Sequence, residues 1–520
     1  MDTSMSNYRK SRFCASIITV VVFGGVPLTQ CFSRNYSGIS SSRVSVIRTD
    51  QLASPRQQTS MFMVATEHVT NGEIAQESSS NKPITSVTSA PSKKSVSRYE
   101  NKMAVLLNLN AKCVTPAVIQ TAREMIGSEH VFVTRTEEES HVVTRRIVEL
   151  GYGLVVPTGG DGTLCSVINS VVAARDALQS RDGSGGGDDG AGMPLPKFAF
   201  LPLGTGNGMG SLVGPPIRGR RRTQKTLTLL TQLLSQQQRT ATALPTIRVP
   251  MMELSAPNPE VNRKLCFFAG AGFDSLMLND FRALKGWSVR RNVLKGLLGG
   301  VAGYCVALLV RTLPRCLLRG HQRLTCRITV PKPTAGGNDD NDDIPETYWI
   351  DPRRGDMATP VTSSQAPPPR DRASAFPQPI QPDHNLLFEG TTGIIAAGTS
   401  PYYGGGLRLF PFARIFPAHS TSSSTKRLQK NRNTLHLRLG RIHPLTGLVN
   451  LFQIFRGTYR ERNMKVLDFV GNDFHVELSD PYPFQFSGEA VERPLSSFRF
   501  KAFDEAVEFV DFIEPRLVHG

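Results

Sequence analysis

Gly159-Gly160-Asp161-Gly162-Thr163 sets three glycines and a carboxylate between an apolar run and an amphipathic one. That combination suits phosphate. Glycine lets the backbone approach a ligand closely, and a helix N-terminus offers N–H groups and partial positive charge. Asp161 in such a loop can hold Mg2+ through water or accept a proton, and Thr163 can cap the helix that follows. The plainer reading is a Gly-rich strand-to-helix turn whose aspartate only makes hydrogen bonds. A second loop bears against it: residues 198–210 read FAFLPLGTGNGMG, again an apolar strand ending in Gly, Thr and Asn. Two such loops at the carboxyl ends of parallel strands converge on the crevice where α/β sheets bind ligands. Neither has the GxxxxGK[ST] spacing of a Walker loop or the Rossmann spacing.

The elements that must position these loops are legible in the hydrophobic pattern. Strands are expected at Met103–Leu109, Val131–Thr134, Gly153–Pro157 and Phe198–Leu203, and helices at Pro116–Ile126, Glu137–Leu150 and Leu164–Leu178. On the last helix Leu164, Val167, Ile168, Val171 and Val172 share one face. The alternation predicts a parallel sheet covered by helices, an α/β nucleotide-binding domain over 101–245. After about Thr246 short alternating runs dominate: Ile247–Leu254, Leu265–Ala269, Arg323–Val330, Gly393–Ala397, Thr434–Leu439, Lys465–Phe469, Phe474–Leu478 and Ser497–Phe500. They predict a second, antiparallel β-rich domain over 246–520, interrupted by a helix around Val293–Leu309. Ser180–Gly192 and Pro331–His384 are Gly/Asp-rich and Pro/Asp/Ser-rich, and are expected to be structureless insertions.

The first 31 residues place Lys10 and Arg12 before an apolar run from Ala15 to Val26, the pattern of a signal peptide. Residues 32–100 continue as an Arg/Ser-rich, acid-poor stretch and then a polar Ser/Thr linker. Together they resemble the two-part plastid leader of algae with complex plastids, with Phe32 after the cleavage point; a secretory or ER-membrane address is the alternative. The 520-residue chain carries 60 Lys and Arg against 43 Asp and Glu. That basic balance suits an anionic membrane surface or nucleotide phosphates. Arg218, Arg220, Arg221, Arg222 and Lys225 form one basic run, and Arg290, Arg291 and Lys295 another. No aromatic interleaving or known module accompanies the charge, so nucleic acid is not an expected partner. The eight cysteines show neither CxxC pairs nor zinc spacing, which excludes a Cys-based zinc site and leaves them as buried or idle thiols.

GGDGT followed by PLGTGN resembles the diacylglycerol kinase, sphingosine kinase and bacterial lipid kinase family. Further segments follow in the family's order: the opening strand with Asn108, Phe268–Ser275 (FAGAGFDS), Lys295–Leu309 (KGLLGGVAGYCVALL), Tyr402–Ala413 (YYGGGLRLFPFA) and Ser487-Gly488-Glu489. The resemblance implies an α/β domain of the NAD kinase/diacylglycerol kinase type, a β-sandwich-like lipid domain, and an active site in the cleft. It implies transfer of the ATP γ-phosphoryl group to a lipid hydroxyl with Mg2+. Asn108, Gly159, Gly160, Gly162, Thr163, Gly204, Thr205, Gly206 and Asn207 would surround the phosphates. Asp161 would serve Mg2+ or proton chemistry, with Glu489 as the rival general base. Asp274 matches an acidic position that faces the acceptor's head in sphingosine kinase-like members; a capping or turn aspartate is the alternative. Three positions depart from the family. Gly208 stands for the acid of GTGND, Ser487 for the acid of Asp-Gly-Glu, and Ser166 for a glutamate. Two other readings stay open: an NAD kinase-like enzyme, whose fold shares GGDGT although PLGTGN and the later Gly/Tyr segments argue against it, and a non-catalytic lipid-binding module, to which Gly208 and Ser487 point.

Overall fold

A computed structural model describes residues 99–181, 193–204, 207–215, 221–291, 301–318, 323–332, 347–351, 357–361, 383–413, 434–459 and 465–512. The leader, most of Ser180–Gly192, Thr205, Gly206, Arg218, Arg220 and Lys295 lie outside the described residues.

The first part alternates as its pattern predicts: β1 (Met103–Asn108), α1 (Pro116–Ile126), β2 (Val131–Thr134), α2 (Glu137–Glu149), β3 (Leu154–Gly159), α3 (Asp161–Arg181), β4 (Lys197–Phe198), β5 (Leu201–Pro202) and α4 (Arg222–Thr240). Caps fix two of the helix starts. Thr115 Oγ1 accepts the Val118 N–H before α1, and Thr136 Oγ1 accepts the Glu139 N–H before α2. Such caps contribute about 1 kcal/mol each. β1, β2, β3, β4 and β5 pair in parallel, so the ends of β1, β3 and β5 all open on one edge of the sheet. α2 and α3 cover one face through Ile147, Val148, Leu164, Val167, Ile168 and Val171. On the other face α1 and α4 bury Ala122, Leu227 and Leu230 against Val105, Leu107 and Val156. Each large aliphatic side chain so buried contributes about 2 kcal/mol.

The remaining strands are β6 (Thr246–Val249), β7 (Met252–Ser255), β8 (Lys264–Cys266), β9 (Phe268–Gly272), β10 (Leu324–Pro331), β11 (Tyr348–Asp351), β12 (Met357–Pro360), β13 (His384–Thr392), β14 (Ile394–Gly398), β15 (Leu435–Gly440), β16 (Val466–Gly471), β17 (Asp473–Tyr482), β18 (Phe484–Phe486), β19 (Glu489–Ala490), β20 (Leu495–Ala502) and β21 (Val507–Val510). Six of them form an antiparallel sheet, β13-β10-β17-β20-β7-β8, and eight form another, β12-β11-β16-β15-β14-β9-β18-β19. Their inner faces share one core that includes Cys326, Ile328, Val476, Phe498 and Phe500 from the first sheet and Ala269, Ile395, Leu437, Leu467 and Phe469 from the second. Two helices follow β9: α5 (Phe273–Arg291), and α6 (Val301–Ala307), which runs through a π turn at Leu308–Thr312 into α7 (Leu313–Leu318). Among the described residues no helix is long and apolar enough to cross a membrane.

The structure corrects the sequence reading in four places. First, the sheets do not divide at 245/246. β6 and the late strand β21 join the α/β sheet, β21 parallel to β4 and antiparallel to β6, because apolar Val507, Phe509 and Val510 complete its two cores. Second, the Pro331–His384 stretch is not structureless throughout. β11 and β12 form a hairpin that extends the eight-stranded sheet through β16. Third, α5, a helix the sequence reading did not assign, begins directly after β9, while the described part of the helix expected around Val293–Leu309 is helical from Val301. Fourth, α3 begins at Asp161 rather than Leu164: the Leu164 N–H already bonds the Gly160 carbonyl at 3.0 Å.

The two lobes are tied beside the loops. Asn169 on α3 donates to the Leu265 carbonyl at 2.7 Å and accepts the Leu265 N–H at 2.8 Å. A helix side chain thereby pairs with β8 as a strand would.

Candidate active site

β1, β3 and β5 deliver Asn108, Gly159 and Pro202 to one edge, and the two Gly-rich loops close on each other there. The Gly204 N–H donates to the Gly159 carbonyl at 2.7 Å. A Cβ at Gly204 would lie 2.4 Å from the Gly160 Cα, so only glycine allows the two backbones to meet. Asn108 Nδ2 donates to Thr163 Oγ1 at 3.0 Å, joining the end of β1 to the first turn of α3. Asn207 Nδ2 donates to the Gly204 carbonyl at 2.8 Å and holds the second loop's curve.

These contacts change several expected roles. Gly204 does not offer its N–H to a phosphate, because the Gly159 carbonyl takes it. Thr163 does not cap the helix; it stands inside the first turn and receives Asn108. The N–H groups of Asp161, Gly162 and Thr163 precede the first i→i−4 bond of α3 and are the helix's outward donors. Thr205 and Gly206 lie outside the described residues.

Asp161 is 4% exposed. Its Oδ2 accepts the Gly208 N–H at 2.7 Å and its Oδ1 the Met209 N–H at 3.0 Å. Asp161 therefore clamps the second loop onto the first. Burial pushes its carboxyl up to about 7, against the pull of the two amides. A Cβ at Gly208 would lie 2.5 Å from the Tyr403 carbonyl oxygen, which explains why no acid stands there. Each Asp161 oxygen already takes an amide, and among the described residues no group of three His, Cys, Asp or Glu could hold a metal ion. The two amides take two of about four acceptor sites on the carboxylate, so Asp161 can still meet a Mg2+ that arrives with nucleotide phosphates, but the described residues supply no metal site made of protein ligands alone.

Glu489 comes from the other lobe. Ser487 and Gly488 both have positive φ, +48° and +83°. They make the two-residue turn between β18 and β19 that favours such backbone values. The turn sets Glu489 opposite Phe486. Glu489 is an exposed residue, yet its carboxylate reaches the first turn of α3: a Cβ at Gly162 would lie 2.4 Å from Oε1. Burial of that carboxyl end raises its pKa, with Glu137 adding to the rise. Beneath it, Cys165 Sγ and Ser487 Oγ lie 2.9 Å apart. Burial pushes the Cys165 thiol up to about 12, which keeps it protonated.

Asp274 opens α5 and is buried. Its Oδ2 accepts the Tyr403 hydroxyl, and also Gln485 Nε2 at 3.3 Å. Its Oδ1 is buried with no hydrogen-bond partner. Burial raises its pKa despite the tyrosine and glutamine donors. Sequence reading missed Tyr403 and Gln485. The available signals were a tyrosine inside YYGGG and one amide between Phe484 and Phe486, two residues ahead of Ser-Gly-Glu.

Residues 102–244 match the family described as the diacylglycerol kinase catalytic domain. No curated protein matches the chain. Among solved structures, a diacylglycerol kinase from Bacillus anthracis is 10% identical with a TM-score of 0.41, over 79% of this chain and 96% of that one. An NAD kinase from Archaeoglobus fulgidus in complex with ATP is 10% identical with a TM-score of 0.32, over 80% and 97%.

Proposed function

We propose an ATP-dependent kinase that phosphorylates a lipid hydroxyl of the diacylglycerol or sphingoid type, a reading supported by the match of residues 102–244 to the diacylglycerol kinase catalytic domain. The observation that carries this reading is the meeting of Glu489 with the first turn of α3, where the outward N–H groups of Asp161, Gly162 and Thr163 also lie. Phosphoryl transfer needs positioning and charge stabilisation above all. The α3 N-terminus supplies donors and dipole for ATP phosphates. Asp161 keeps the second loop against the first. Glu489 takes the proton of the acceptor hydroxyl as its oxygen bonds to the γ-phosphorus and the bond to ADP breaks. Its raised pKa suits a base. Mg2+ enters with the ATP phosphates as part of the substrate. The lipid comes from an anionic membrane surface to which the basic chain is drawn, and the leader gives it a plastid address.

The test is a panel of mixed micelles holding diacylglycerol, sphingoid base, ceramide or phosphatidylglycerol, with Mg-ATP. Phosphorylation of at least one lipid is expected. No transfer to any of them, by folded protein that binds ATP, sinks the proposal. In that case vesicle binding without turnover favours the non-catalytic reading, to which Ser487 points by its missing charge. NADPH formed from NAD and ATP after reduction favours the NAD kinase reading. A fluorescent fusion of residues 1–100 tests the address.

A further inference from the structure

Gln485 is 2% exposed and lies in β18 between two phenylalanines. Its amide spends every polar atom in one direction or the other. Nε2 donates to Asp274 Oδ2 at 3.3 Å and to the Tyr403 hydroxyl. Oε1 accepts the Gly488 N–H at 3.2 Å. Tyr403 in turn donates to Asp274 through its hydroxyl, and its backbone carbonyl packs on Gly208, whose N–H Asp161 holds. One continuous chain of contacts thus runs from Asp274 to the turn that carries Glu489, with a branch to the Asp161 clamp.

We infer that Gln485 is a positioning residue that couples the state of Asp274 to the placement of Glu489. Three observations carry this beyond a packing role. Ser487 is a non-glycine residue at positive φ, a conformation that persists only where surroundings impose it. The turn is held at Ser487 by Cys165 and by the Phe268 carbonyl, which accepts the Ser487 N–H at 2.9 Å, and at Gly488 by Gln485, so loss of Gln485 releases the Gly488 side of the turn. At the far end of the Gln485 chain, Asp274 Oδ1 is buried with no hydrogen-bond partner. A hydroxyl or amine that reaches Oδ1 draws on the same carboxylate that Gln485 holds through Oδ2. The turn then feels the acceptor through one amide. The geometry resembles an acceptor-sensing lever: occupancy at Asp274 tightens Gln485, and Gln485 seats Glu489 on Gly162.

The coupling rests on the kinase reading above, and its test separates the two. Amide hydrogen exchange is read first, without ATP or lipid. In Gln485→Leu the Gly488 amide exchanges at least tenfold faster than in the wild-type chain, while amides of β20 do not change. Turnover is then measured with dioctanoylglycerol and sphingosine in mixed micelles. Gln485→Leu lowers kcat at least tenfold, with the KM for ATP within twofold. Gln485→Glu retains an oxygen for the Gly488 N–H but sets a second oxygen against Asp274. Its Gly488 amide therefore stays protected while kcat falls as in Gln485→Leu, an outcome that loss of packing alone does not produce. Should Gln485→Leu not fold, Gln485→Asn, one methylene too short to span both partners, gives the same kcat loss. Normal turnover in Gln485→Leu, or wild-type turnover in Gln485→Glu, overturns the inference alone. A wild-type chain that phosphorylates no lipid, yet shows the Gln485-dependent Gly488 amide, brings down the kinase reading alone.

Discussion

The loop at 159–163 and the turn at 485–489 bring carboxylates to the same end of α3, and they hold them in opposite ways. Asp161 is buried and both of its oxygens accept backbone amides of the second loop. Glu489 is an exposed residue, and its carboxylate rests against Gly162. A carboxylate with an amide of the second loop on each oxygen gives up reach for rigidity. One delivered by a two-residue turn of the other lobe reaches the same helix end without loop amides on it among the described residues. On the kinase reading proposed above, the difference suits the first to a structural role and the second to proton chemistry, although sequence makes them look interchangeable.

The strongest way to break this contrast is Glu489→Gln. It preserves shape and removes the base, so kcat should fall about 10³-fold, within the range for a general base. The melting temperature should stay close to wild type. A loss under threefold returns the base role to Asp161. Asp161→Ala should fail differently. It leaves the Gly208 and Met209 N–H groups buried without acceptors, at about 1–3 kcal/mol each. Calorimetry should register that loss alongside a higher KM for ATP and lower kcat.

The pH dependence sharpens the same point. Asp161 is pushed up to about 7 in the fold, above its unfolded value near 4. Between those values the folded state binds the extra proton, so stability falls as pH rises. The stability of wild type minus that of Asp161→Asn should therefore decline from about pH 4 to pH 7 and level beyond it. A flat difference means the carboxylate is not desolvated as described. The smallest expected effect is Gly208→Asp, which restores the family's acid. Its Cβ meets the Tyr403 carbonyl at 2.5 Å, and overpacking of this kind costs about 1–3 kcal/mol. Turnover should not rise; a gain would show that the missing acid, not the clamp, limits this chain.

Much of the α/β lobe was legible because its signals are local. Thr115 and Thr136 cap helices within three residues, and Pro116–Ile126 begins and ends where its pattern says. GGDGT reads as a phosphate-ready turn because glycine and helix polarity act within one segment. The β lobe was legible as alternation, but not as two sheets. Pairings such as β9 with β14, or β17 with β20, join strands whose order in space no short window contains.

What sequence alone determined is therefore the material of the site: two Gly-rich loops after apolar strands, a carboxylate in one, and Ser-Gly-Glu far downstream. Tertiary structure decided what each group does. It returned β21 to the first sheet, spent the Gly204 N–H on Gly159, and committed both Asp161 oxygens to the second loop. It also brought Glu489 from 327 positions past Gly162 to rest against it, and joined Gln485 to Asp274 across 211 positions. The physical reason is range. Capping, helix polarity and turn conformation are set by neighbours in the chain, whereas the hydrogen bonds that make a carboxylate a clamp or a base come from partners that only the folded sheets bring together.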